Sequence, residues 1–510
     1  MKDKNILFIT GDQWRGECLS ILAHPVVKTP NLDALAADGV LFRRHFAQCA
    51  PCGPSRASIY TGMYLQNHRS VDNGTPLDAR HTNLALEFRK LGYETVLVGY
   101  TDTSPDPRQL SPDDPALKTY EGILPGFQHV LAMPSETFPQ PWARWLADRG
   151  FSLPDDLRDL YYGQVKDFPG AHERGASYAP AIYPPELSDT AFAVDLAMHY
   201  LRIPGSKPWF LHLSILAPHP PHVAPEPFNR MYHPDDVPSL LRAASLEEET
   251  RQHAFLGYFL DQNLRGSWGE HRYPRDEKSM RQLRATYFGQ MTHVDECIGK
   301  LIAVLKETGQ YDETIIVFGS DHGDQMGDHY LLGKGAYFDQ SAYIPLIMRV
   351  PDYAKGGRVV ENFTENVDIL PTLLDLVGSE IPVQCDGRSL VPFLKGDTPP
   401  NWRSAAHWEV DFRDVEHGLP EKQLGIGFEE CSFNVIRDER YKYVHFAALP
   451  PLFFDLEKDP AELNDLARDP ACTPLLLACA QKLLSWRMVN DERTLTHMKL
   501  GPQGVMMRRR

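Results

Sequence analysis

The stretch Cys52-Gly53-Pro54-Ser55-Arg56 places a thiol and a guanidinium four residues apart. Side chains four apart share one face of a helix, so Arg56 can reach back toward position 52 and offset negative charge there. A cysteine among small residues is more often a buried small hydrophobic side chain. Other parts of the chain must therefore decide whether Cys52 has a chemical role.

Ligand-type side chains directly follow two apolar segments: Asp12 and Gln13 after 5–10, and Asp321 and His322 after 314–318. Short runs rich in Ile, Val and Phe are typical of buried parallel strands, and ligand sites form beyond the carboxyl ends of such strands. A single Asp or His there is usually a cap or turn residue. Two pairs together predict a site for one divalent metal ion. Carboxylate and amide oxygens suit Ca²⁺ or Mn²⁺, and the imidazole favours Mn²⁺.

A histidine follows the apolar run 209–216 and is the predicted general acid. His219 can donate a proton to a leaving alkoxide near neutral pH. His222 is a weaker candidate, and His212 is expected to be buried within its strand.

Helical patterns separate these runs, so the sequence predicts an α/β fold with a doubly wound, mostly parallel central sheet. Predicted helices cover 30–38, 82–91 and 284–307. Strand and hairpin signals at 433–436, 441–446 and 452–456, followed by a helix at 474–487, predict a smaller C-terminal antiparallel sheet subdomain. We therefore expect a catalytic domain at 1–380, with an insertion over the site at about 103–190, and a C-terminal α+β subdomain at 381–510.

The charge and composition exclude some classes of function. A formal net charge of −16 argues against nucleic acid as the main partner but leaves room for a small anionic substrate. No apolar stretch approaches the roughly 20 residues that cross a bilayer, and no signal peptide is recognised. Eight irregularly spaced cysteines fit neither a disulfide framework nor a zinc cluster. We expect a cytoplasmic protein with no membrane association.

Several motifs together resemble those of sulfatases in the alkaline phosphatase superfamily, in the same order along the chain: 28–33 (KTPNLD), 52–56 (CGPSR), 92–95 (GYET), 320–323 (SDHG) with 327–329 (GDH), and 454–460 (FDLEKDP). The resemblance covers residues 5 to about 490. Within that group the chain is most similar to the bacterial branch of phosphonate monoester hydrolases and related arylsulfatases, since 219–221, 368–372 and the tail also agree.

The resemblance implies that a maturation enzyme oxidises Cys52 to formylglycine, whose hydrated aldehyde becomes the nucleophile. Position 52 would then join the four metal ligands. Lys334 matches the sulfatase lysine that grips the transferred group. The resemblance also implies that the C-terminal tail from about residue 494, which has no core pattern of its own, packs on a neighbouring subunit of a dimer or tetramer.

Three residues are the predicted contacts to substrate. Asn73 can hydrogen-bond a substrate oxygen, although Asn-Gly is also an ordinary turn signal. Sulfatases usually place a lysine and a histidine where this chain has Tyr100 and Asp102. Tyr100 keeps a hydrogen-bond donor, whereas an ionised Asp102 would repel a dianionic phosphate monoester more than a monoanion.

The expected function is hydrolysis of monoanionic esters, with arylsulfatase activity first and phosphonate monoester and phosphodiester hydrolysis as promiscuous activities. The phosphonate branch usually has an uncharged hydroxyl residue in place of Asp102, which favours sulfate esters here. The alternative is phosphonate monoester hydrolase or phosphodiesterase as the main activity. Two distant alternatives are a phosphotransferase that uses unmodified Cys52 and a binding protein with a decayed site.

Overall fold

The computed structural model describes residues 4–132, 139–203, 205, 207–266, 274–353 and 356–508. Its largest sheet has nine strands. Its strands are β1 (Asn5–Gly11), β2 (Val40–Phe46), β3 (Glu94–Gly99), β4 (Gln128–Ala132), β5 (Trp209–Ile215), β6 (Thr314–Gly319), β7 (Tyr343–Ile344), β8 (Leu346–Arg349) and β9 (Arg358–Glu365). Their order is β4-β3-β5-β1-β6-β8-β2-β7, with β9 beside β2. Neighbours are parallel from β4 to β6 and between β2 and β9, whereas β8 and β7 run antiparallel to their partners.

Sixteen α-helices have been assigned within the described residues: α1 (Pro30–Ala37), α2 (Cys52–Thr61), α3 (Leu65–His68), α4 (Leu84–Lys90), α5 (Gln140–Asp148), α6 (Asp159–Tyr162), α7 (Ala171–Arg174), α8 (Asp189–Arg202), α9 (Leu246–Arg251), α10 (Ala254–Arg265), α11 (Glu277–Glu307), α12 (Asp339–Ala342), α13 (Ile369–Leu376), α14 (Val391–Lys395), α15 (Leu419–Leu424) and α16 (Thr473–Val489).

Helices cover both faces of the central sheet. Alternate residues of β1 enter different cores, because successive side chains of a strand point to opposite faces. Leu7 and Ile9 pack in a cluster with α1, α8 and α11, and Ile6 and Phe8 pack in a cluster with α2, α4, α13 and α14. The predicted doubly wound, mostly parallel fold is therefore confirmed.

A second, antiparallel sheet lies near the C-terminus, as predicted. It consists of β10 (Ala406–Asp411), β11 (Ser432–Arg437), β12 (Tyr441–Phe446) and β13 (Leu452–Asp455), paired in that order. Val435 and Phe446 of this sheet share one hydrophobic cluster with Phe46 and Phe363 of the central sheet. The two sheets are thus joined by a common core.

Some predicted elements extend further than their patterns indicated. The helix predicted at 284–307 begins seven residues earlier, at Glu277, where the side chain of Asp276 accepts a hydrogen bond from the amide of Ser279. Within the segment predicted as an insertion, β4 joins the edge of the central sheet beside β3. The tail forms a hairpin of β14 (Met498–Gly501) and β15 (Gly504–Met507). None of the helices in the described parts of the chain is long and apolar enough to cross a membrane.

Candidate active site

Four strands of the central sheet bring the predicted site residues to one edge. β1 and β6 are parallel neighbours, and Asp12 and Asp321 follow their ends at the same height. β5 pairs with the other side of β1 and precedes His219, and β3 precedes Tyr100 and Asp102. The carboxyl ends of parallel strands open at a single edge, so residues far apart in sequence converge there.

Four buried side chains form a compact cluster of potential ligands. One donor atom from each of Asp12, Cys52, Asp321 and His322 lies within 4.8 Å of all the others. The Nε2 of His322 lies 3.2 Å from the Sγ of Cys52 and 3.8 Å from a carboxylate oxygen of each aspartate. Two carboxylates and an imidazole with one open donor position are a set that a divalent cation accepts.

The protonation of His322 fits this role. Its Nδ1–H donates to the carbonyl of Gly323 at 3.0 Å, so the lone pair of a neutral ring lies on Nε2, which faces the cluster. Burial lowers the pKa of His322, although Asp321 opposes the shift. Such a backbone hydrogen bond on the far nitrogen is the usual support of a metal-binding histidine.

Gln13 lies beside the cluster, and its side chain makes two specific contacts. Its Oε1 accepts a hydrogen bond from the Nζ of Lys334 at 2.7 Å, and its Nε2 donates to the Oδ2 of Asp324. Its backbone amide donates to Asp321 at 3.1 Å. Gln13 was predicted as a metal ligand, and here its amide oxygen is held by Lys334.

Cys52 is the first residue of α2, a helix that is buried along its whole length. Burial raises the pKa of the Cys52 thiol well above its usual range, and the carboxylates of Asp12 and Asp321 raise it further. Without a bound cation, an unmodified thiol in these surroundings stays protonated. The surroundings of Cys52 therefore disfavour a nucleophilic thiolate at this position.

Asn73 fixes the start of α2. Its Oδ1 accepts a hydrogen bond from the amide of Gly53 at 2.8 Å. A Cβ at position 53 would lie 3.0 Å from that oxygen and from the carbonyl oxygen of Asp102, so this close approach favours glycine. The Oδ1 of Asn73 thus forms a structural hydrogen bond, and the residue also borders the cavity described below.

Arg56 contacts the cluster through its two carboxylates, Asp12 and Asp321. Its Nε donates to Asp321 at 3.0 Å, and one NH2 nitrogen donates to Asp12 at 2.9 Å. The other terminal nitrogen donates to the hydroxyl of Ser214 at 2.8 Å. Burying two carboxylates is costly unless they are paired, so the planar guanidinium holds both in place.

Tyr100 and Asp102 lie beside Arg56. The hydroxyl of Tyr100 donates to Asp12 at 2.6 Å, so the donor predicted to face substrate supports a metal-site carboxylate. Asp102 has a left-handed backbone, with φ of 46°, and an oxygen 3.8 Å from the Nε of Arg56. Burial raises the pKa of Asp102 to about 7, against the opposing effect of Arg56. Near neutral pH this carboxyl is partly protonated.

Lys334 and His219 border the same space above position 52. Burial disfavours charge on Lys334, but negative charge around it, including that of Asp12 and Asp321, outweighs this effect and raises its pKa. Burial, with a contribution from the Lys334 charge, lowers the pKa of His219 to about 3. The Nδ1–H of His219 donates to the carbonyl of Pro220 at 2.6 Å, so Nε2 is its free, proton-accepting atom.

The other two histidines considered from the sequence, His212 and His222, are buried in the core. His212 is fully buried on β5, where it contacts the hydroxyl of Tyr60 at 3.0 Å and the carbonyl of Phe8 at 3.1 Å. His222 is also buried, with its Nδ1 3.3 Å from Gln290. The expectation that His212 is a core residue is confirmed.

A cavity of about 420 Å³ opens over the cluster, and several of its residues were not predicted: Asp72, Tyr120, Glu121, Leu216 and Glu416. Asp324 and Ser214 were also missed. Asp324 could have been found, since it ends the stretch Asp321-His322-Gly323-Asp324. Nothing in the sequence marks Ser214 as a site residue, because it is one small polar residue within a buried strand.

The fold and this site define a hydrolase-type α/β protein, in which a buried carboxylate–imidazole cluster at the sheet edge faces a nucleophile position at a helix start. The family model described as "Sulfatase" matches residues 4–379, and that of the "N-sulphoglucosamine sulphohydrolase, C-terminal" region matches residues 327–488. The chain belongs to the sulfatase family of the alkaline phosphatase superfamily.

Three individual proteins illustrate the similarity. The chain is 44% identical to the multifunctional alkaline phosphatase superfamily protein PehA of Trinickia caryophylli, over 100% of both. It is 30% identical to an arylsulfatase of Clostridium perfringens, over 91% of this chain and 90% of that one. The crystal structure of the phosphonate monoester hydrolase of Agrobacterium radiobacter superposes with a TM-score of 0.94 at 44% identity, covering 99% of this chain and 100% of that one. Members of this group hydrolyse ester bonds.

Proposed function

We propose that the protein hydrolyses monoanionic esters with a formylglycine at position 52 and one divalent metal ion, Mn²⁺ before Ca²⁺. The observation that carries this proposal is the cluster of Asp12, Cys52, Asp321 and His322 at the start of α2. Phosphonate monoesters are the proposed main substrates, in line with the 44% identity to a phosphonate monoester hydrolase over 99% of this chain. Aryl sulfates and phosphodiesters follow.

Sulfate esters remain the second candidate because of Asp102. A carboxyl at this position was the reason to place aryl sulfates first from sequence. Its pKa of about 7 reduces the negative charge that the argument needs at neutral pH. The remaining charge still acts more strongly on a dianion than on a monoanion. Both sulfate and phosphonate monoesters are therefore compatible with this residue.

Asp12, Gln13, Asp321, His322 and residue 52 would hold the metal ion, which would supply positive charge to polarise the ester and activate an oxygen nucleophile. Formylglycine would supply that oxygen in place of the protonated thiol. Arg56 pairs with both carboxylates and orients them through its hydrogen bonds at 2.9 and 3.0 Å. Lys334 provides a cation for the anionic group that is transferred.

His219 is the residue that can move a proton on the leaving-group side. Its Nδ1–H is tied to a backbone carbonyl, so the proton must be carried on Nε2. In the free protein the ring is neutral, because burial and Lys334 lower its pKa to about 3. An anionic substrate beside the ring favours its charged form, and His219 can then protonate the departing alkoxide.

Partners and setting are also proposals. A maturation enzyme would act on Cys52, whose motif resembles the sulfatase signature for conversion to formylglycine. A cytoplasmic setting fits the eight cysteines, all of which are free thiols. A homo-oligomer, dimer or tetramer, is supported by the β14–β15 hairpin, which exposes Leu500, Val505 and Met506.

Two measurements test the proposal. Mass spectrometry of the Cys52 peptide, from a host that contains the maturation enzyme, should show formylglycine; an active preparation with only the thiol would contradict it. The kcat/KM values should then be compared for 4-nitrophenyl esters of phenylphosphonate, sulfate and phosphate, and for bis(4-nitrophenyl) phosphate. The phosphate monoester should be the poorest substrate. A large preference for the phosphate monoester would reject the assignment to monoanions.

A further inference from the structure

A second cavity, of about 440 Å³, opens beside the one over the metal cluster. The two cavities share four lining residues: Pro51, Asp72, His219 and Lys334. His219 therefore lies at their junction. A proton donated from its Nε2 would meet the leaving alkoxide there, and the rest of the alcohol would then extend into the second cavity.

Aromatic rings form one wall of this second cavity. Tyr258, Phe259 and Phe412 line it, all half-buried. Phe259 borders the lysine loop, since a Cβ at Gly335 would come within 3.0 Å of its Cζ. Phe259 and Phe412 pack on the buried ring of Phe255, with centroid separations of 5.5 and 4.9 Å. The wall is thus fixed, and it can receive an aromatic or cationic group.

Carboxylates gather at the mouth of the same cavity. Asp72, Asp411 and Asp414 line it, and Arg413 pairs with Asp411 at 2.8 Å. Within the described ranges, no lysine or arginine nitrogen lies within 4 Å of the carboxylates of Asp72 or Asp414.

We propose that this second cavity binds the leaving alcohol and prefers one that carries a quaternary ammonium group over one that carries an anion. Aromatic rings attract cations, and Asp72 and Asp414, neither of which pairs with a lysine or arginine among the described residues, add negative charge beside them. A preferred substrate is then a zwitterion, with its anionic ester group near Lys334 and its cation in the second cavity. The inference rests on the proposed ester hydrolysis and adds the class of leaving group.

The test compares three aryl phenylphosphonates whose leaving phenols have closely matched acidity but carry trimethylammonium, no charge or sulfonate. The expected kcat/KM for the cationic ester exceeds that for the anionic ester by about tenfold or more. This ratio should fall toward one as salt is raised from low ionic strength, because screening weakens charge interactions. Equal kcat/KM values at low salt would overturn the inference.

Two variants locate the effect. Asp72→Asn and Asp414→Asn should each lower the cationic-to-anionic ratio by about threefold. Asp235→Asn is the matched control, since Asp235 is an exposed acid that lines neither cavity, and it should leave the ratio unchanged. An equal loss in all three variants would count against the second cavity. Hydrolysis of the neutral ester without charge preference rejects only this inference, whereas failure on all three esters rejects the proposed function as well.

Discussion

Lys334 donates a hydrogen bond from its Nζ to the Oε1 of Gln13 at 2.7 Å, across 321 residues of sequence. The orientation of the Gln13 amide is set from its other end, where Nε2 donates to Asp324. Asp324 is fully buried, and its second oxygen accepts from the amides of Met326 and Gly333 at 2.7 and 2.9 Å. A buried carboxylate thus positions the lysine through an intervening amide.

This chain of contacts predicts a reciprocal rescue. In Asp324→Asn the side-chain oxygen stays with the two backbone amides, so its NH2 group faces the NH2 of Gln13. Gln13 must turn its own NH2 toward Lys334, and kcat/KM should fall about 10- to 100-fold. Adding Gln13→Glu supplies an acceptor for both neighbours and should restore most of the loss.

The control for this rescue is Gln13→Glu alone, which places two carboxylates together. It should be less active and less stable than the double variant. If the double variant is instead as impaired as the product of the two single losses, Asp324 does not act through Gln13.

The sequence could predict the parts of this site that depend on strand ends. Asp12 and Asp321 were expected to converge because each follows a short apolar run, and parallel strands open at one edge. The partners of Tyr100 and Gln13 could not be predicted in this way. Tyr100 was expected to face substrate; it borders the cavity over the cluster, and its hydroxyl donates to Asp12 at 2.6 Å, a contact that was not expected. Such contacts depend on side-chain directions set by packing, which strand and helix periodicity does not specify.

Metal removal gives a test that does not need activity. Asp12 and Asp321 are buried close together, so a cation bound by this cluster should stabilise the folded chain. Prolonged chelation should lower Tm, and Mn²⁺ should raise it again more than Ca²⁺ does. His322→Ala should lose most of this metal-dependent rise in Tm. A Tm that does not respond to chelation or to either metal in the native protein would contradict the assignment.

Asp102 should make stability depend on pH. Its folded-state pKa of about 7 lies above the usual value of 3.8, so the folded chain holds this proton more tightly than the unfolded chain. The contribution of Asp102 to stability is therefore largest at low pH and falls as pH rises from about 4 to 7. Above pH 7, Asp102→Asn should therefore raise the free energy of unfolding by on the order of 2–4 kcal/mol, because it removes the cost of ionising a buried carboxyl.

The measurement is the change in Tm of Asp102→Asn relative to the native protein at pH 4.5 and pH 8.5. The gain should be clearly larger at pH 8.5. Asp235→Asn serves as the control, since it removes an exposed carboxylate in the same way. A gain that is equal at both pH values would show that Asp102 titrates normally in the folded protein.

The C-terminal hairpin predicts the behaviour of the proposed oligomer. Leu500 is 78% exposed and Val505 is 64% exposed. A two-stranded hairpin is only marginally stable alone in water, so exposed apolar side chains on it indicate a contact with another surface. Leu500→Asp with Val505→Asp should convert the native assembly into smaller species, measured by light scattering at several protein concentrations. Lys499→Asp in the same strand is the control for charge alone and should leave the assembly intact. A native protein that is monomeric at micromolar concentration, or a double variant with unchanged mass, would reject the hairpin as a subunit contact.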